Sequence, residues 1–241
     1  MKNIKFLFAL FLFAPAAFSQ KERAIEELNK MTKRYQKPQF LSFKIQYKYS
    51  DSEKPGEYLD SLDADFKLNG NRYWYEIANI RTVADGENTV VVYNDDSIIY
   101  LSKSALDVLP AGIVGMTDSL FSNADVAYSI EDHKKTTIIN IGFSNDSRIK
   151  QVGYEIDNRS GLLRKVLQVV NAKYMYDPSL QHEVEDADKY VVVETLFSDY
   201  SEKPFNQEIF NTANYIQKIG QDYVARSPYQ SYKIFLGNPH L

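Results

Sequence analysis

The 241-residue chain contains no cysteine, which removes disulfides, thiolate metal ligands and thiol nucleophiles from consideration. Histidine is nearly as scarce. His133 follows Glu131 and Asp132 in an expected hairpin turn, His182 precedes Glu183 and Glu185, and His240 is the penultimate residue. A zinc site needs three or four converging ligands. His182 and Glu185 would supply two only from one helix face, so all three histidines are read as surface residues. Glycine and proline, at 10 and 8 residues, form no phosphate-cradling loop, and no Gly-x-Ser-x-Gly elbow is present. Asp51, Glu53, Asp95, Asp96 and Asp125 fall in or beside expected turns, where carboxylates are solvated and cap the turn. A glycosidase would need two of them facing each other across a cleft. The sequence therefore offers no catalytic constellation, no metal set and no cofactor motif, and predicts a protein that is not an enzyme.

Basic residues are also in deficit, 28 against 32 acidic, and no basic patch stands out, which argues against a nucleic-acid partner. The one continuous apolar run, residues 6–13, is too short to span a bilayer and is followed closely by Pro15. With Lys2 and Lys5 before it and the small residues Ala17 and Ser19 after it, residues 1–19 read as a signal peptide, with a mature start expected at Gln20. No cysteine follows the run to carry a lipid anchor, so an exported, soluble protein is expected. Its 26 basic and 32 acidic residues would give a formal charge of −6. Residues 20–241 are long enough to bury one large core without disulfides, and a single domain is expected.

What the chain has is aromatic residues in alternating patterns: 18 tyrosines and 14 phenylalanines, many of them in expected strands. Residues 21–34 place Ala24, Ile25, Leu28 and Met31 at helical spacing and predict an amphipathic helix that Pro38 brings to an end. Phe43, Ile45, Tyr47 and Tyr49 then alternate with Lys44, Gln46 and Lys48, the clearest half-buried strand of the chain. Residues 59–68 and 72–80 form a hairpin about Asn69-Gly70-Asn71, and 81–84 lead to the turn Asp85-Gly86-Glu87. Residues 89–93 and 98–102 pair about Asn94-Asp95-Asp96. Further strands are expected at 127–131, 136–143, 152–156, 162–170 and 190–197. Residues 106–121 read as a loop with short helical pieces, residues 209–224 as a helix, and Tyr229, Tyr232 and Phe235 as a segment that closes a sheet edge. Turns at such short, regular intervals predict a curled antiparallel sheet.

An incompletely closed sheet with helices against it leaves a space lined by whichever face points inward. The residues expected to line it are Phe43, Ile45, Tyr47, Phe66, Tyr73, Tyr75, Val90, Val92 and Ile99. The competing explanation is ordinary strand composition, since Tyr and Phe favour pleated surfaces.

The helix, the strand 43–49, the segment Arg72-Tyr73-Trp74-Tyr75-Glu76 and the stretch from Ala84-Asp85-Gly86 to Tyr93-Asn94 together resemble the periplasmic carrier proteins for outer-membrane lipoproteins, the LolA-like family. The run from Tyr154-Glu155-Ile156 through Gly161 to Val166 is similar to the family's later hairpin. The resemblance covers about residues 21–197. It implies an unclosed antiparallel β-barrel of about eleven strands with a helical lid, a monomer located in the periplasm and free of cofactors. The apolar interior would receive the acyl chains of a lipoprotein or lipid, taken from an inner-membrane transporter and handed to an outer-membrane acceptor. A second reading keeps the same fold for a non-catalytic structural or interaction protein of the envelope. Two departures stand out. The family's early-strand basic residue aligns with Asn69, with Arg72 nearby, and the chain from about 198 onward is a divergent C-terminal extension.

Overall fold

The structure, a computed structural model, describes residues 14–104, 126–144, 148–174 and 189–237. One α-helix and fourteen strands lie among them. Helix α1 is Ala14–Tyr35. The strands are β1 (Leu41–Asp51), β2 (Tyr58–Asn69), β3 (Arg72–Ile77), β4 (Ile80–Ala84), β5 (Asn88–Tyr93), β6 (Ile98–Lys103), β7 (Val126–Asp132), β8 (Thr136–Phe143), β9 (Ile149–Asp157), β10 (Leu163–Asn171), β11 (Tyr190–Ser201), β12 (Ile216–Ile219), β13 (Asp222–Ala225) and β14 (Lys233–Leu236). Twelve of them form one sheet in the order β14-β6-β5-β4-β3-β2-β1-β11-β10-β9-β8-β7, and β12 pairs with β13 alone. Its two end strands, β14 and β7, each have a single neighbour, so the sheet is not closed into a barrel. The expected loop at 106–121, His182, His240, Asp125 and the first thirteen residues of the expected signal peptide lie outside the described residues.

The chain divides into two compact units, each assembled from three separate segments. The first takes Met1–Arg34, Tyr47–Ser61 and Gly112–Leu196. Ala24, Leu28 and Met31 of α1 are buried, the stripe that the spacing predicts, and Ile25 is half-buried. The β8–β9–β10 meander supplies further core residues. Ile139 stands opposite Tyr154, which stands opposite Val166, and Ile141 stands opposite Val152. All five are buried. Burial in this layer pushes the Tyr154 phenol up to about 12. Arg23 donates through Nη2 to both carboxylate oxygens of Asp132, at 2.6 and 2.7 Å, and so ties exposed parts of α1 and β7 together.

The β9–β10 hairpin closes about residues 158–162, one residue later than the sequence predicts. Gly161 sits at φ +69°, where a side chain would be strained, and its N–H donates to the Asp157 carbonyl at 2.8 Å. The Asp157 carboxylate accepts from the Ser160 amide at 2.9 Å and from Arg164 Nη2 at 2.6 Å. The Ser160 amide first, then Arg164 and the Ser160 hydroxyl, outweigh desolvation and hold this carboxyl at about 2. A carboxyl depressed in the folded state stabilises above its unfolded pKa, and that stability is lost as pH falls through the folded value. Asp157→Asn should cost about 1–2 kcal/mol at pH 7, with Tm lower by about 3–6 °C. In thermal unfolding at stepped pH, its gap to the parent should close between about pH 4 and pH 2.

The second unit takes Tyr35–Gln46, Leu62–Ala111 and Phe197–Leu241. Here two expectations are corrected. The predicted strand at 72–80 is broken: β3 ends at Ile77, Ala78 turns the chain with φ +49°, and β4 starts at Ile80 as a new antiparallel partner. Positive φ is uncommon for alanine, so the break carries only a weak sequence signal, Asn79. The helix expected over 209–224 is absent. In its place stand 3-10 turns at Gln207–Phe210 and Thr212–Asn214, then the hairpin of β12 and β13 about Gly220. The edge-closing segment is real: β14 adds to β6 in parallel, Lys233 beside Ile98 and Phe235 beside Tyr100.

Candidate functional site

Residues directly opposite in a β-ladder share a face, so the registers of the second unit sort its side chains without ambiguity. Phe66 stands opposite Tyr75, Tyr75 opposite Thr82, Thr82 opposite Val91, and Val91 opposite Tyr100, beside which lies Phe235. A second row on this face runs from Ile77 through Ile80 and Tyr93 to Ile98 and Lys233. The opposite face runs from Lys67 through Trp74, Val83 and Val90 to Leu101.

This division splits the nine expected lining residues. Phe43, Ile45, Phe66, Tyr73 and Tyr75 belong to the first face. The Phe43 and Phe66 rings stack with centroids 5.2 Å apart and planes 3° from parallel, and Phe66 stacks on Tyr75 at 5.0 Å. Tyr47 lies in the other unit and is half-buried. Val90, Val92 and Ile99 are on the opposite face, fully buried in a cluster with Val83, Leu101, Tyr215 and Ile216. The C-terminal segment covers them, with Tyr223, Tyr229 and Tyr232 packed around the cluster. The sequence could not assign the face because residues 89–93 are apolar or neutral at both parities.

The two faces differ in charge. From β2 at Ala64 to β6, the aromatic face carries no Asp, Glu, His, Lys or Arg, and its first charge is Lys233 at the edge. The covered face holds Asp65, Lys67, Arg72, Glu76, Arg81 and Lys103. Arg81 donates through Nε to Glu76 at 2.6 Å and through Nη1 to the Tyr229 hydroxyl at 3.3 Å, which ties the C-terminal segment to β4. Arg72 is likewise on the covered face. It donates to the Asn69 side chain, reaches Gln207 Oε1 at 2.6 Å and lies over the Phe210 ring at 5.1 Å. Asn69 and Arg72 therefore act as one hydrogen-bonded pair that anchors the first 3-10 turn.

Exposure along the aromatic face is graded. At its β1 end, Phe43 contacts Tyr35, Phe66, Phe197 and Tyr200, and protein rings fill the space. Tyr73 is 8% exposed, and burial raises its phenol pKa although the Thr89 hydroxyl bonds it at 3.2 Å. Tyr75 and Val91 are half-buried, Tyr100 is 39% exposed and Phe235 49%. The free apolar surface thus lies toward β5, β6 and β14. Tyr93, Ile98, Tyr100 and Phe235 belong to it, and sequence reasoning did not name them as a site; the alternation Tyr93 to Val91 was the available signal. Among the described residues, no group of three or more His, Asp or Glu is placed to hold a metal, and no helix is long and apolar enough to cross a membrane.

No protein-family model and no curated protein sequence matches this chain. Three solved structures illustrate what it is similar to in shape. An uncharacterised conserved protein of Thermus thermophilus is 7% identical, with 88% of this chain and 97% of that one covered and a TM-score of 0.48. A LolA superfamily protein of Nitrosomonas europaea is 10% identical, with coverage of 79% and 98% and a TM-score of 0.36. A MucA/MucB complex of Pseudomonas aeruginosa contains a chain 11% identical, with coverage of 79% and 62% and a TM-score of 0.35.

Proposed function

We propose that the chain is a non-catalytic periplasmic carrier that holds the acyl chain of a lipoprotein or lipid and moves it toward the outer membrane. The donor would be an inner-membrane transporter and the recipient an outer-membrane acceptor. The observation that carries this reading is the uncharged aromatic face of the second unit, which passes from a filled ladder at Phe43 and Phe66 to an open surface at Tyr100. Each methylene laid on such a surface and removed from water contributes roughly 0.8 kcal/mol. Release then needs no chemistry, only a partner that offers the chain a better surface. Of the five sequence candidates on this face, Tyr75 is the least buried. The resemblance of residues 21–197 to the lipoprotein carriers supports the same reading.

A second reading, an envelope interaction protein, draws on the same ladder: Phe43 is packed by protein rings on four sides, and the exposed patch at Tyr100 and Phe235 would then meet a protein partner. Native mass spectrometry of the protein purified without detergent, before and after incubation with a diacylated peptide, separates the two. The carrier should retain an acyl-mass adduct that Tyr75→Asp and Tyr100→Asp reduce at least tenfold with the circular dichroism spectrum unchanged. An apo mass that persists through incubation would sink the carrier reading.

A further inference from the structure

The aromatic face ends on a lone cation. Lys233 lies beside Ile98 at the start of β14, two residues before Phe235 on the same face. Its ammonium has no hydrogen-bond or ion-pair partner among the described residues, whereas the basic residues Arg72 and Arg81 of the opposite face are engaged. We propose, resting on the carrier reading, that the occupant of this face is a single-chain lipid with an anionic head: its carboxylate or phosphate meets Lys233, and its chain runs inward over Phe235, Tyr100 and Val91.

Charge complementarity selects the head. A neutral amphiphile would leave the one cation of the face among the described residues unanswered, and an ammonium head would be repelled by it. The gradient of exposure selects a single chain over a bilayer surface. Along the row Phe235 and Tyr100 are open, Val91 is half-buried, Thr82 is buried and Tyr75 is half-buried, so the surface recedes inward where a planar membrane could touch only its outer end. The strip is of useful length. From β14 through β6, β5 and β4 to β3, four strand spacings of about 4.8 Å make roughly 19 Å, close to the length of an extended sixteen-carbon chain. The C-terminal strand thereby becomes part of the binding surface, contributing both the terminal ring and the cation.

The test compares hexadecanoate with the monoglyceride of the same chain, by calorimetric titration on the full chain at low salt. Hexadecanoate should bind about fivefold more tightly, the size of one solvent-exposed ion pair. Lys233→Gln should abolish the preference while keeping monoglyceride affinity, Lys233→Arg should retain it, and salt at about 0.5 M should screen it. Phe235→Ser should weaken both ligands together. Equal binding of the two, unchanged in Lys233→Gln, would overturn the inference and leave the carrier reading standing. Binding to phosphatidylglycerol vesicles without binding to either monomeric lipid would overturn it in favour of a membrane surface. No binding to any of the three would also overturn it, and the carrier reading would then stand or fall on the diacylated-peptide adduct alone.

Discussion

Val92→Asp should leave no folded protein, while Tyr100→Asp, on the adjacent strand one register position away and on the other face, should fold normally and lose its lipid. Val92 has no exposed surface and packs in the cluster of Val83, Val90, Ile99, Leu101, Tyr215 and Ile216. A carboxylate there has no partner in reach of its ladder neighbours except Arg81, which is already bound to Glu76. The group must then enter neutral or open the cluster to water, a cost of about 4 kcal/mol or more. That is a large fraction of the stability of an ordinary domain. Tyr100 is 39% exposed, so its replacement removes little packing, about 1 kcal/mol or less. Soluble yield and thermal unfolding read the first variant, and lipid titration reads the second. Equal behaviour of the two would mean that the faces are wrongly assigned.

Phe43→Ala is the second large effect. Its ring has neighbours at 5.2 Å (Phe66), 5.4 Å (Tyr200), 5.8 Å (Tyr35) and 6.2 Å (Phe197). Phe43 is 3% exposed. Removing it deletes the shared member of four ring contacts and leaves a void that the surrounding strands cannot close. The expected cost is about 3–5 kcal/mol, a fall in Tm of roughly 6–20 °C. The lipid affinity of the folded fraction should stay within about twofold of the parent, because the open surface at Tyr100 is separated from Phe43 by β2 to β5. A fall of less than about 3 °C would show that the ladder is not the core of this unit.

Local patterns in the sequence located most strands. Residues 136–143, rich in β-branched residues, are β8 to the residue, and Asn69-Gly70 and Asp157 to Gly161 carry the turn chemistry that their hairpins use. Where the signal is not local, the reading failed. Ala78 adopts φ +49° with no glycine to announce it. The expected helix at 209–224 was an apolar, aromatic stretch whose residues serve a different purpose, Tyr215 and Ile216 sealing the Val90 cluster. That same long-range cover decided the site. Val90, Val92 and Ile99 look like lining residues until the chain returns more than a hundred positions later to bury them, and Phe235 cannot be seen as part of the aromatic face until β14 is known to pair with β6.

The interleaving of the two units sets the order in which the protein can be finished. Each draws on three stretches of chain, so a ribosome delivers pieces of both before it completes either. β1 waits for β11 as its sheet neighbour, and the open edge of β6 waits for β14. Contacts this distant in sequence are slow to form, and a product truncated before β11 would expose the flanks of β1 and β10 together. Until β11 is made, β1 has only β2 beside it in the sheet, and half of its ladder stays unpaired.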